Sequence, residues 1–186
     1  MQWLFEKITN VTLQEFEEIY RGLSPSRKAH IDRLKMQEDR QRSLLAAKLV
    51  GALLATQNVV ATLETDAEGK PYLKGSSLHI SITHSGEGVA CAISQEPVGI
   101  DMEKLKPVRQ SLVKYACLPK EQAYILEGAP EGEVLTEKTA IERFFEVWTT
   151  KEAAYKKGGQ KNLLSIDTLQ IQKQSILMED YMLTIL

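Results

Sequence analysis

The chain has 186 residues, of which 26% are charged and 43% hydrophobic, and its formal net charge is -2. This suits one domain or two small halves able to bury a core, and it excludes nucleic-acid binding driven by bulk positive charge. The N-terminus lacks the apolar core and cleavage site of a signal peptide, and no run of about 18 apolar residues offers a membrane span, so a cytoplasmic, membrane-free monomer is expected. Cys91 and Cys117 have no CxxC spacing and read as free thiols of a reducing compartment.

In chain order, residues 2–8 read as a short strand. Thr12 followed by Glu15 is a capping-box pair and predicts a helix to about residue 21. Ser24-Pro25 opens a basic-polar helix over 25–36. Leu44, Leu45, Leu49, Leu53 and Leu54 recur at helical spacing and predict a longer helix, from about Asp39 to Ala55 or Gln57. Residues 66–77, with Gly69, Pro71 and Gly75, read as turns. Strands are predicted over 78–83, 88–95 and 97–103, the middle one continuously apolar and therefore buried. Residues 108–127 read as helical with a break at Leu118-Pro119, and 128–136 as a loop. A helix spans 137–157 and stops at Gly158-Gly159. Two strands are predicted over 166–173 and 176–186.

A long helix followed by strands thus occurs twice, with three strands after the first helix and two after the second. The reading is α+β with two similar halves, 1–104 and 105–186. A last strand is expected to be missing from the second half, and the chain to be truncated at its C-terminus.

Two segments carry the chemistry. In Val98-Gly99-Ile100-Asp101-Met102-Glu103, two carboxylates follow an apolar run. At i and i+2 of a strand they share a face, about 6.5–7 Å apart along it. In Trp148-Thr149-Thr150-Lys151-Glu152-Ala153-Ala154-Tyr155-Lys156, residues 148, 152 and 156 form one helical stripe. Three hard oxygen ligands and two lysines suit Mg²⁺ bridging a phosphate ester. The plainer alternatives are a solvated strand end and a surface i,i+4 ion pair. His84, flanked by Thr83 and Ser85 at a strand end, is either a structural histidine or part of an anion site. No zinc spacing, nucleophile elbow, Walker A loop or GxGxxG occurs.

Taken in order, several segments resemble the 4′-phosphopantetheinyl transferases, specifically the longer pseudo-dimeric type that activates non-ribosomal peptide synthetases. They are Leu23-Ser24-Pro25 with the basic residues after it, Glu38 to Leu45, Gly69-Lys70-Pro71-Tyr72, His79 to Gly86, Val98 to Glu103 and Trp148 to Lys156. The resemblance implies two α/β halves with the site between them. It also implies transfer of the phosphopantetheine arm of coenzyme A to a serine of an apo peptidyl or acyl carrier protein, with release of 3′,5′-ADP. Carried over residue by residue, Asp101, Glu103 and Glu152 would hold Mg²⁺, and Glu152 would also be the general base. Lys151 and Lys156 would contact the phosphates, with Lys156 stabilising the leaving group. Lys70, Thr83 and His84 would hold the 3′-phosphate of coenzyme A. Arg27, His30 and Ser43 stand where the family more often has Lys, Lys and Thr, and His30 would make its contact depend on pH. Leu112, Val113, Tyr115 and Leu118 are candidate carrier contacts.

Overall fold

The computed structural model describes residues 1–66, 69–158 and 162–186. The chain divides into two compact units, Met1–Val98 and Gly99–Leu186.

The first unit opens with strand β1 (Gln2–Lys7), followed by helices α1 (Leu13–Gly22), α2 (Pro25–Asp32) and α3 (Gln37–Thr56). Then come the hairpin of β2 (Thr62–Thr65) and β3 (Pro71–Lys74) and the hairpin of β4 (His79–Ser85) and β5 (Gly88–Ser94). Each helix start has a local cause. The Thr12 hydroxyl accepts from the Glu15 amide at 3.2 Å, and the Glu15 carboxylate accepts from the Thr12 amide at 2.8 Å, closing the box expected at α1. The Ser24 hydroxyl caps α2 and Pro25 occupies its first turn. The predicted helix over 25–36 ends early, at Asp32, because Arg33 and Leu34 close a turn onto the His30 and Ile31 carbonyls and α3 starts anew.

The sheet of this unit runs β1-β5-β4, with both pairings antiparallel. Helix α3 lays Leu45, Leu49 and Leu53 on one sheet face, against Ile80, Val89, Cys91 and Ile93. The β2–β3 hairpin falls where turns alone were expected, since two four-residue strands give little alternation to read.

The second unit has a related but different order of elements, with one hairpin rather than two after its long helix. Strand β6 (Ile100–Lys104) is followed by the short strand β7 (Val108–Arg109), helices α4 (Gln110–Ala116) and α5 (Pro119–Leu126) and the short strand β8 (Val134–Leu135). Helix α6 (Lys138–Lys157) and the hairpin of β9 (Gln174–Met178) and β10 (Tyr181–Ile185) complete it. The sheet runs β6-β10-β9, again antiparallel throughout. Strand β6, expected to belong to the first half, is thus hydrogen-bonded within the second unit. The apolar β10 is central in this sheet, and two strands follow α6 where four follow α3. The strand expected over 166–173 does not form. Two 3₁₀ turns, Leu163–Ser165 and Thr168–Gln170, stand there instead. Gly158 caps α6 with φ of 101°, as expected, while Gly159 lies outside the described residues.

Phe144, Phe145 and Val147 of α6 join Val113, Ile125 and Met182 in one buried core. Backbone approach at one point is very close. A Cβ built on Gly99 would lie 1.8 Å from the Ala153 carbonyl oxygen, so only glycine lets the start of β6 meet α6 there. Gly99 also exchanges hydrogen bonds with Leu186, at 3.1 and 2.9 Å, which extends the β6–β10 ladder.

Candidate active site

In the second unit, Asp101 and Glu103 sit two apart on β6, opposite Thr184 and Met182 of β10. Thr184 hydrogen-bonds Thr149 of α6 at 2.8 Å, which places this face of the sheet under α6. The Lys156 ammonium donates to Asp101 Oδ1 at 2.6 Å and to the Ile100 carbonyl at 3.4 Å. Glu152, one turn before Lys156, is half-buried. Its carboxyl is pushed above the usual carboxylate range by burial first and by Asp101 next; Lys156 opposes the rise, and Glu103 adds to it. The three carboxylates expected to converge are therefore electrostatic neighbours, although about fifty positions separate them in the chain. Met102 points to the opposite face of the sheet and is fully buried.

As they stand, no three His, Cys, Asp or Glu side chains among the described residues are drawn close enough to hold a metal ion. The donor chemistry nevertheless fits one. Repelling carboxylates supply hard oxygens, and the ammonium already seated on Asp101 marks the position as one that takes a cation.

Beside the carboxylates lies a cavity of about 560 Å³, lined by Glu103, Leu112, Tyr115, Phe144, Phe145 and Trp148 among others. Leu112 and Tyr115 of α4 are exposed at its mouth, 44% and 73% respectively. Val113 is fully buried core, so it is not a surface contact. Leu118 is half-buried at the start of α5.

In the first unit, Arg27, His30, Ser43 and His84 line a cavity of about 270 Å³, together with Arg42 and Thr65. Arg27 is 7% exposed and donates to the hydroxyls of Thr65 at 3.1 Å and Ser43 at 2.9 Å, with its Nε unpartnered among the described residues. A buried guanidinium held by neutral hydroxyls keeps surplus positive charge and fits an anion. Burial holds its pKa below the ordinary arginine value, opposed by Cys91 and Glu64. Arg42 is tied to Asp39 at 2.5 Å and to the Gly86 carbonyl at 2.7 Å. Lys70 is exposed between Gly69 and Pro71, which line the cavity. Thr83 does not line it. It alternates with His84 along β4, faces the other side of the sheet, and is 4% exposed.

A model of the 4′-phosphopantetheinyl transferase superfamily matches residues 97–177. The 4′-phosphopantetheinyl transferase Sfp of Bacillus subtilis (strain 168) is 28% identical over 164 residues, covering 86% of this chain and 70% of the relative. The transferase gsp of Aneurinibacillus migulanus is 28% identical over 178 residues, 93% of this chain and 72% of its own. The transferase pptA of Paxillus involutus is 29% identical over 148 residues, 66% of this chain and 54% of its own.

The chain is similar to the 4′-phosphopantetheinyl transferases along most of its length.

Lys151 departs from its expected place. It is fully buried and pairs with the equally buried Glu121 at 2.9 Å. Its ammonium also donates to the carbonyls of Ile166 at 2.5 Å and Leu164 at 3.4 Å. With no exposed surface it cannot reach a phosphate, so its assignment as a phosphate contact is corrected to a structural one. Glu121 further accepts from the Leu118 amide at 2.7 Å, and from the Thr168 amide and hydroxyl at 2.9 and 2.7 Å. Burial acts to raise the carboxyl's pKa, but these hydrogen bonds and Lys151 outweigh it and hold the carboxyl below the usual range.

Sequence reasoning misses two residues that matter to this fold. Gly99 has a signal, a lone glycine interrupting an apolar strand run. Glu121 has none, since its partners lie on other elements.

Proposed function

We propose that the protein transfers the 4′-phosphopantetheine arm of coenzyme A to a serine of an apo peptidyl or acyl carrier protein, releasing 3′,5′-ADP, with Mg²⁺ as cofactor. We read its two units as the halves of the pseudo-dimeric type, acting as a monomer in the cytosol, where two free, buried cysteines are at home. The observation that carries the reading is the grouping of Asp101, Glu103, Glu152 and Lys156, on a chain whose relatives are named 4′-phosphopantetheinyl transferases.

Asp101, Glu103 and Glu152 would hold the Mg²⁺, which supplies positive charge to the pyrophosphate when bound. Glu152 accepts the proton of the carrier serine as its oxygen bonds to the phosphorus that bears the pantetheine arm. Its raised pKa improves the match to that task. The bond from that phosphorus to the bridging oxygen breaks, and the negative charge gathering on the departing 3′,5′-ADP is met by the Lys156 ammonium. Arg27, His30, Ser43, Lys70 and His84 hold the 3′-phosphate. The exposed Leu112 and Tyr115 of α4 offer the carrier protein an apolar foothold. Cys117 takes no part as a nucleophile, since burial, then Glu121, pushes its thiol up to about 12 against the pull of Lys151.

The test is a comparison of variants in transfer and in coenzyme A binding. Glu152→Ala abolishes transfer and weakens coenzyme A binding less than Lys70→Ala or His84→Ala does. The opposite order contradicts these roles, and a protein that binds coenzyme A but transfers nothing to either carrier class is a binding protein instead.

A further inference from the structure

This inference rests on the reading that the cavity of the first unit takes the 3′-phosphate of coenzyme A. His30 occupies an unusual place in it. Together with Arg27, one turn earlier on α2, it lines two cavities at once, the one of about 270 Å³ and a neighbour of about 260 Å³. The groups facing these cavities are mixed in sign. Helix α2 and its end contribute Arg27 and Arg33, α3 contributes Asp39 and Arg42, the β2 end contributes Glu64 and Asp66, and β4 contributes His84. Arg42 is paired with Asp39, whereas Arg27 donates to two hydroxyls and has Glu64 acting on it through space.

We infer that His30 makes recognition of the 3′-phosphate proton-coupled: it takes up one proton from solvent as the phosphate enters, so preference for coenzyme A over dephospho-coenzyme A weakens as pH rises above neutrality.

The physical case has two halves. Without ligand, burial first, then Arg27 and Arg33, disfavour the imidazolium and hold the pKa of His30 below its ordinary value of 6.5. The imidazole is therefore neutral at pH 7. A phosphate monoester has its second pKa near about 6 and is close to a dianion above neutrality. Its arrival in a cavity walled by His30 reverses the local field, because an opposite charge within about 4–6 Å favours the charged form. Above the second pKa the phosphate has no titration of its own to offset the effect. A lysine at this position would be charged before and after binding and would show no coupling, so the histidine makes selectivity depend on pH.

The experiment measures dissociation constants of coenzyme A and dephospho-coenzyme A, with Mg²⁺, from about pH 7 to about pH 8.5. Dividing the dephospho-coenzyme A constant by the coenzyme A constant cancels every titration at the carboxylate cluster, which both ligands share. For the wild-type protein the ratio falls by up to tenfold per pH unit, the slope of one linked proton. His30→Lys keeps the preference for coenzyme A and is flatter by close to that slope. Calorimetry of 3′,5′-ADP in HEPES and in Tris, whose ionisation heats differ, shows net proton uptake for wild type that His30→Lys lacks. A ratio that falls equally steeply in His30→Lys, or that is flat in wild type, overturns the inference and leaves the phosphate-pocket reading standing. Equal binding of both ligands at every pH overturns that reading, and the inference with it.

Discussion

Replacing Lys151 by methionine removes the ammonium from a site with no solvent access. Glu121 then remains a buried carboxylate with three donors, the Leu118 amide and the Thr168 amide and hydroxyl. Replacing Glu121 by leucine instead strands an ammonium on the Ile166 and Leu164 carbonyls and orphans two backbone amides. Breaking a buried pair from one side costs about 3–5 kcal/mol. Lys151→Met belongs at the lower end because its partner keeps three hydrogen bonds, and Glu121→Leu at the upper end or beyond, since each orphaned donor adds about 1–3 kcal/mol. The double variant removes both charges together and is less destabilised than the sum of the two, with a coupling of at least about 2 kcal/mol. Urea titrations followed by circular dichroism read all three, and Lys151→Met lowers Tm by about 6–12 °C. The pair also shapes acid behaviour. The Glu121 carboxyl titrates lower in the folded chain than in the unfolded one, so its contribution is complete above about pH 4.5 and lost as pH falls through the native value. The double variant lacks that acid limb. Single effects that add within about 0.5 kcal/mol, or an unchanged acid limb, refute the closed network around Glu121 and Lys151.

Further outcomes follow from the same geometry. Gly99→Ala forces the backbone of β6 and α6 apart by on the order of 1 Å and costs about 3 kcal/mol or more in urea titration, with loss of transfer. Glu152→Gln abolishes transfer yet stabilises the fold by about 0.5–2 kcal/mol at pH 7, because a half-buried carboxylate repelled by Asp101 and Glu103 is neutralised. The sign is fixed by its raised pKa: stability is given up as pH rises through the native value, and the gain vanishes in acid. Arg27→Ala weakens coenzyme A about ten- to a hundredfold by equilibrium binding and leaves dephospho-coenzyme A little changed.

Much of this was legible in the sequence, for local reasons. The box of Thr12 and Glu15, the Ser24-Pro25 start and the leucine spacing of α3 each specify their element within a few residues. The i+2 spacing of Asp101 and Glu103 and the i+4 spacing of Glu152 and Lys156 made their shared faces legible, while their roles as site residues were implied by the resemblance alone. What failed depended on distant partners. A strand was expected over 166–173, but the Thr168 amide and hydroxyl are taken by Glu121, 47 positions away, and the backbone turns instead. Lys151 looked like a phosphate ligand beside Glu152, yet one step along a helix rotates it by about 100° into the core. Thr83 and His84 looked like a pair, yet adjacent strand residues face opposite ways.

The central claim is transfer itself. The most direct measurement is the intact mass of an apo peptidyl carrier protein, and of an apo acyl carrier protein, after incubation with this protein, coenzyme A and Mg²⁺. The account predicts a gain of one phosphopantetheine group on a serine of at least one carrier, absent with Glu152→Ala. Unmodified carriers of both classes, from a protein shown to be folded and to bind coenzyme A, would contradict it.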